Sequence, residues 1–167
     1  MKAASVESVD EVKVRRATVD DVAELADLRR TFTLEDATEG EPLRSDYEES
    51  FARIVTNGIE SGRWVIWVAE ADGAIVSHAF VGTIEKIPRP VVGHGVIGYM
   101  TNVYTRPEFR GRGIGGRVLD AVAAWAIAAG IELLVVWPSE ASFGHYERHG
   151  FADRGEPLVW LHPDDPA

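Results

Sequence analysis

Residues Val103 to Leu119 read V-Y-T-R-P-E-F-R-G-R-G-I-G-G-R-V-L, and the fold is decided by how this stretch is parsed. It begins as a strand, turns at Arg106-Pro107, carries four glycines between Gly111 and Gly116, and continues as an apolar-striped helix. A glycine-rich turn leading from a strand into a helix presents bare backbone N–H groups at the helix N-terminus, where phosphate oxygens are favoured. Four arginines (Arg106, Arg110, Arg112, Arg117) and one acid (Glu108) lie between Arg106 and Arg117. The stretch is therefore a basic island suited to a multiply phosphorylated ligand.

Downstream, Ile114, Val118, Val122, Trp125 and Ala129 recur at three- and four-residue spacing, and Gly130 stands where a helix-ending glycine belongs. Ile131 to Trp137 is a nearly continuous apolar run, expected to be a strand buried on both faces. Pro138 ends it, a short helix is expected over Ser142 to His149 before Gly150, and Pro157 to His162 reads as a last strand.

Upstream lies an antiparallel meander: Trp64 to Ala69 as a strand, a hairpin turn at Ala71-Asp72-Gly73, a return strand from Ala74 to Glu85, a Pro/Gly loop from Lys86 to Gly95, and a strand from Val96 to Thr105. Before it, Val12 to Arg15 alternates like a strand. Thr18 is placed to cap a helix carrying Val22, Leu25, Ala26 and Leu28 on its core face. A second helix is expected from Ser45 to about Thr56, with Tyr47, Phe51, Ile54 and Val55 inward.

The fold class that follows is α+β in α/β/α layers: a mixed, mainly antiparallel sheet of about six or seven strands with helices on both faces. One domain is expected over residues 12–162, between a loose N-terminal tail (1–11) and a C-terminal tail (163–167).

The chain has 167 residues and a net charge of −10, so no general field draws nucleic acid or an acidic membrane surface. Cationic or amine-bearing partners fit better. With no cysteine there is neither a disulfide, a zinc-thiolate site nor a thiol nucleophile. The start lacks the apolar core of a secretory signal, and the longest apolar run, Ala121 to Ala129, is too short to span a bilayer; a cytoplasmic location is expected. Glu35 to Glu49 holds seven acids against Arg44 alone. It is either a solvated face or an acidic lip that attracts a cationic substrate.

Gly111 to Gly116 also matches G-x-G-x-x-G, which opens the alternative of a dinucleotide-binding oxidoreductase. The context argues against it. Arg106 to Arg110 intervene between strand and first glycine, a meander precedes the unit, and the next strand's acid, Glu132, stands at its beginning rather than its end. The Lys-Ser/Thr pair of a P-loop is missing as well.

The run Arg110-Gly111-Arg112-Gly113-Ile114-Gly115 resembles the Q/R-x-x-G-x-G/A signature of the GNAT superfamily of acyl-CoA-dependent N-acetyltransferases, approached as usual there through V-x-P-x-[FY] in Val103 to Phe109. Tyr146-Glu147-Arg148-His149-Gly150-Phe151 resembles the family's Y-E-[KR]-x-G-F. The order of elements from Val12 to Phe151 is similar too.

The resemblance implies acetyl-CoA as acyl donor, with its pyrophosphate on the backbone N–H groups of Gly111, Arg112, Gly113, Ile114, Gly115 and Gly116, and Arg110 beside them. It implies a pantetheine arm paired with the backbone of Val103, Tyr104 and Thr105, in a cleft between the strands Val96 to Thr105 and Ile131 to Trp137. Ser139 stands where the family commonly has an Asn that touches this arm. By the same analogy Tyr146 is the acid that protonates the departing thiolate, and a homodimer is a family habit.

Acetyl transfer to an amine also needs an oxyanion donor, for which a backbone N–H near Val103 or Tyr104 suffices, and a way to shed the amine proton. Relatives often carry a carboxylate just before the cofactor contacts, where this chain has Thr101 and Asn102. Glu85, His94, Glu132 and the Glu35 to Glu49 lip remain as candidate bases acting through water, or no dedicated base is needed. The expected function is direct transfer of acetyl from acetyl-CoA to a primary amine in a ternary complex. The alternative within the same fold is a non-catalytic acyl-CoA sensor. His145 and His149 stand at i, i+4 spacing, but neither zinc-helix pattern is met and no third ligand is evident, so no metal is expected. Trp64, Trp67, Trp125 and Trp160 are expected in the core, with Trp137 at the cleft end of its strand.

Overall fold

The computed structural model describes residues 12–37, 42–93, 95–153 and 155. Two compact units make up the chain, Met1–Trp137 and Pro138–Ala167. In the first, strands β1 (Lys13–Arg16), β2 (Trp64–Ala71), β3 (Ala74–Glu85), β4 (Val96–Thr105) and β5 (Ile131–Val136) form one sheet in chain order. Neighbours from β1 to β4 are antiparallel, and β4 pairs with β5 in parallel through the crossover helix α3 (Ile114–Ala128). Helices α1 (Val22–Asp36) and α2 (Tyr47–Ser61) lie between β1 and β2 in the chain.

The mixed α+β sheet agrees with the sequence pattern, with five strands among the described residues rather than six or seven. The strand expected over 157–162 lies outside the described residues, as do the tails 1–11 and 163–167.

Alternation along β2 divides its side chains between two layers. Ile66 and Val68 join Val22, Leu25, Leu28, Val55, Phe80 and Tyr104 in the core under α1 and α2. Val65 and Ala69, also buried, point the other way, toward the face covered by α3, whose Val118, Leu119 and Val122 are buried. Burying a leucine such as Leu25 or Leu28 contributes about 1.5–3 kcal/mol. Polar contacts fix the helices in place: Tyr47 Oη donates to the Ala26 carbonyl at 2.8 Å, and Glu24 Oε1 accepts from Ile75 N at 2.7 Å.

Local signals are met closely. Asp21 accepts from Thr18 N at 2.7 Å and so caps the start of the first helical segment. Asp72-Gly73 turns β2 into β3 with φ of 52° and 77°, the left-handed pair of a type I′ hairpin. Gly130, at φ 67°, follows α3.

Three expectations are corrected. Ile54 is about half exposed, and α2 runs from Tyr47 to Ser61 with Val55 and Gly58 as its buried residues; a Cβ on Gly58 would stand 2.1 Å from Trp64 Cδ1, so the helix is seated on that indole. On α3 the inward stripe ends at Ala126, with Ala129 exposed, because the helix stops at Ala128. β5 is not buried on both faces: Glu132 and Leu133 are exposed, and among the described residues it is the last strand of the sheet. Gly98 is closely covered by side chains, since a Cβ there would lie 2.5 Å from Leu134 Cδ2 and 3.0 Å from Val81 Cγ1.

In the second unit, a 3-10 turn (Glu140–Ser142) leads into the short helix α4 (Phe143–Arg148), ended by Gly150 at φ 87°.

Candidate active site

The site is organised by a defect in β4. His78 pairs with Tyr104 and Phe80 with Thr101, so Ala79 of β3 faces both Asn102 and Val103. This is a β-bulge, a device found often beside active sites because it re-aims the backbone. Asn102 takes the left-handed conformation (φ 49°), which asparagine tolerates better than most residues.

Beyond the bulge β4 stays paired with β3 only. β5 ends at Val136, beside Met100, whereas β4 runs on to Thr105, leaving Thr101 to Thr105 without a β5 partner. Ser77, buried in β3, secures the far side: its Oγ donates to the Tyr104 carbonyl at 2.8 Å and lies 2.8 Å from Thr105 Oγ1.

A 3-10 turn (Pro107–Phe109) carries the chain into the glycine segment. Gly111 and Gly113 both have φ 74°, and Gly113 is the N-cap of α3. A Cβ at either position would meet nothing within 4 Å. The left-handed backbone rather than crowding demands glycine here, and the space in front of it is open. Ile114 is fully buried and anchors the first turn of α3, with Gly116 buried behind it and Gly115 between them. A left-handed turn at the N-terminus of a 15-residue helix, with open space before it, fits phosphate oxygens.

The four arginines have distinct duties. Arg106 Nε donates to the Ile75 carbonyl at 3.0 Å and Arg117 Nη2 to the Val12 carbonyl at 2.6 Å, so these two hold the fold together. Arg112 lies over the Phe109 ring. Arg110 is gripped on three sides: Nε donates to the Thr105 carbonyl (2.8 Å), Nη2 donates to Glu35 Oε2 (2.6 Å), and the guanidinium lies 5.4 Å from the centroid of the Tyr104 ring.

Tyr104, stacked on Phe32, donates its hydroxyl to the other Glu35 oxygen at 2.5 Å. Burial and then the Glu35 carboxylate push the phenol up to about 12. The Arg110 and Tyr104 hydrogen bonds hold the Glu35 carboxyl below its ordinary range.

These contacts sort the candidate bases. Glu35 has both oxygens occupied and stays ionised, which makes it an anchor rather than a proton acceptor. Glu132 is ion-paired with Lys86 Nζ at 2.6 Å. Glu85 ends β3 in an exposed position. His94, Glu39 and Glu41 lie outside the described residues.

Trp137, exposed, meets Tyr99 edge-on at 5.3 Å, while Trp64 and Trp67 are half-buried and Trp160 lies outside the described residues.

Two residues enter the site in roles that the sequence does not give them. Glu35 stands there only among the acids of the Glu35 to Glu49 lip, as a candidate base and not as a partner of Arg110. His78 appeared nowhere, although it stands beside Ser77 in an otherwise apolar strand, and a buried polar pair in such a run signals obligatory partners. His78 is fully buried, with Nδ1 2.6 Å from the Asn102 carbonyl oxygen.

In the second unit, Ser139 Oγ donates to Ser142 Oγ at 2.9 Å, and Ser142 Oγ donates back to the Ser139 carbonyl at 3.0 Å. Tyr146 is buried, its ring against Phe151 at 5.5 Å, and burial raises its phenol above the ordinary value. His145 and His149 meet edge-on at 5.0 Å, and among the described residues no group of three or more metal-ligating side chains converges. Nor is any described helix long and apolar enough to cross a membrane.

A mixed α+β sheet whose fourth strand bulges, outruns its parallel neighbour and enters a glycine turn at a helix N-terminus defines the acetyltransferase class of fold. The sequence profile of the acetyltransferase (GNAT) domain matches residues 62–153, and the chain belongs to this family. No curated protein matches the chain by sequence.

Among solved structures, it is similar to a predicted acetyltransferase of Clostridium acetobutylicum with acetyl-CoA, at 27% identity and a TM-score of 0.74 over 90% of this chain and 96% of that one. A GCN5-related N-acetyltransferase of Ralstonia eutropha JMP134 is 24% identical, with a TM-score of 0.73 over 90% and 98%. Glucosamine-6-phosphate N-acetyltransferase of Arabidopsis thaliana is 21% identical, with a TM-score of 0.69 over 92% and 99%. The G-x-G-x-x-G match at Gly111 to Gly116 thus falls within an acetyltransferase fold.

Proposed function

We propose that this chain transfers an acetyl group from acetyl-CoA to a primary amine, the amine attacking directly while both substrates are bound. One observation carries this reading: the backbone of β4 from Thr101 to Thr105, without a β5 partner, leads into the left-handed glycine turn at the start of α3. When bound, acetyl-CoA supplies the activated thioester. The N–H groups from Gly111 to Gly116 would hold its pyrophosphate, Arg112 would add charge at the turn, and Val103, Tyr104 and Thr105 would pair with the pantetheine arm. Ser139 would turn its hydroxyl from Ser142 Oγ to the same arm.

The chemistry asked of the protein is modest. A backbone N–H of the bulge, that of Val103, would stabilise the negative charge that develops on the thioester oxygen. Tyr146, kept protonated by burial, would give its proton to the departing thiolate. With no cysteine in the chain, no thiol stands ready to carry the acetyl group, which supports direct transfer. The amino sugar named for the Arabidopsis relative bears a primary amine, and the acids of residues 35–49 favour a cationic acceptor.

A second reading, an acyl-CoA sensor without turnover, draws on the engagement of Glu35 and Glu132 in ion pairs and on Thr101 and Asn102 in place of a carboxylate. Thiol release from acetyl-CoA over a panel of amines separates the two. Turnover is expected in the wild type, and Y146F should lower kcat by about 100-fold while leaving acetyl-CoA affinity unchanged. Tight cofactor binding with no release on any amine would instead carry the sensor reading.

A further inference from the structure

His78 reaches across from β3 to the strand that bears the bulge. Its ring is fully buried, edge-on to Phe80 at 5.2 Å and tilted against Tyr104 at 5.8 Å. The Nδ1–Asn102 O contact of 2.6 Å fixes the tautomer, since a carbonyl oxygen only accepts: Nδ1 carries the hydrogen. In the neutral ring Nε2 is then an acceptor, and it is buried with no hydrogen-bond partner. A buried orphan acceptor costs stability that a leucine at the same place would not cost. Packing alone therefore does not account for a histidine here.

The hydrogen bond has a directional consequence. A trans peptide is planar, so its C=O and N–H point in opposite directions. With the Asn102 carbonyl held by His78, the N–H of Val103 in the same peptide must point away from that ring, and from Thr101 onward β4 has no β5 partner to take it up. Asn102, at φ 49°, is the residue whose unusual backbone this bond holds.

We infer that His78 is a positioning residue which, through its Nδ1–H bond to the Asn102 carbonyl, aims the Val103 N–H at the thioester oxygen of bound acetyl-CoA. The inference rests on the N-acetyltransferase reading for the ligand. It adds a residue of β3 that touches neither substrate.

H78N and H78L test it together. Asparagine places an N–H donor near the position of Nδ1 but fills less of the core, whereas leucine fills the core without a donor. A merely structural histidine predicts that H78N suffers more in both stability and activity. Positioning predicts that the two orders oppose: H78N melts lower than H78L yet keeps kcat within about fivefold of wild type, while H78L loses about 30-fold or more in kcat and its KM for acetyl-CoA rises by no more than about tenfold. H78L within threefold of wild type, or equal losses in both variants, would overturn the inference.

Two further measurements keep the test decisive. In wild-type protein labelled with nitrogen-15 in histidine, a protected Nδ1–H resonance is expected, and its absence overturns the hydrogen bond even if neither variant folds. The preference for acetyl-CoA over CoA isolates the carbonyl contact and needs no turnover, so it separates a failure of this inference from a failure of the enzymatic reading. H78L should lower that preference by about tenfold and H78N should spare it; an unchanged preference in H78L sinks the inference even where no amine is acetylated.

Discussion

Arg110 Nη2 donates to Glu35 Oε2 at 2.6 Å, fastening the residue that opens the glycine segment to the last turn of α1. With side chains 49% and 28% exposed, the pair is worth no more than about 1 kcal/mol in stability. Its influence is expected on the ligand. E35Q keeps an acceptor for the Tyr104 hydroxyl and removes one negative charge beside the proposed pyrophosphate site. Acetyl-CoA should bind about threefold tighter in low salt, with the gain fading as ionic strength rises. Calorimetric titration at two salt concentrations checks this. Weaker binding in E35Q would mean that Arg110 serves the cofactor only while Glu35 holds it in place.

Gly113 is required for its backbone and not for lack of room. At φ 74° with nothing within 4 Å of a new Cβ, G113A should cost about 1–2 kcal/mol of conformational strain. Gly62 provides a matched control, since it ends α2 at φ 73° with equally open space. Both alanine variants should melt about 2–8 °C lower. Only G113A should weaken acetyl-CoA, by about tenfold or more, because its Cβ enters the space before α3. Equal effects on binding would remove the glycine turn from the ligand site.

The elements that sequence reading places well are those governed by local chemistry. The glycines of Val103 to Leu119, the Asp72-Gly73 turn and the Thr18 to Asp21 cap each depend on residues within a few positions of one another. An apolar run such as Ile131 to Trp137 does not say where its strand lies in a sheet, and among the described residues β5 is the last strand, with Leu133 exposed. Ile54 departs for a different reason: the inward face of α2 runs through Val55 to Gly58, and a glycine carries no apolar side chain by which the sequence could mark the face that seats on Trp64. The left-handed glycine turn at Gly111 and Gly113 was legible in the sequence, and the side-chain network around it was not. Glu35 and Arg110 are 75 residues apart, and His78 and Asn102 are 24 apart. No periodicity announces such pairs.

Gly98 is covered by side chains of both neighbouring strands, and the cost of filling it can be separated by a double-mutant cycle. G98A pushes a Cβ against Leu134 Cδ2 at 2.5 Å and Val81 Cγ1 at 3.0 Å, an overpacking worth about 1–3 kcal/mol. L134A alone removes part of the packing between β4 and β5. Combined, the added methyl enters space that the leucine vacates, so the double variant should lose at least about 1 kcal/mol less than the sum of the singles. Urea unfolding of the four proteins measures this coupling. Strict additivity would show that Leu134 turns aside without cost and does not crowd a side chain at position 98.

His78 also predicts how stability responds to acid. Burial, reinforced by the charges of Arg29 and Arg106 against the pull of the Asn102 carbonyl, lowers its imidazole to about 4 from the ordinary 6.5. Between those values the unfolded chain holds a proton that the folded chain refuses, so stability must fall as pH drops from about 6.5 to about 4 and level off below. The full loss is on the order of 3 kcal/mol. The carboxylates act in a lower window: Asp21 and Glu35 are held below their ordinary range by Arg15 and Arg110, and their contribution disappears only as pH falls through values below about 4. Urea midpoints measured at half-unit steps from pH 7 to pH 3 should therefore show two descents in the wild type. In H78L the upper descent should vanish and the lower one remain. A wild-type profile flat from pH 6.5 to 4.5 would mean that the imidazole accepts its proton without cost, and that the ring is not sealed in the core with an unpartnered Nε2.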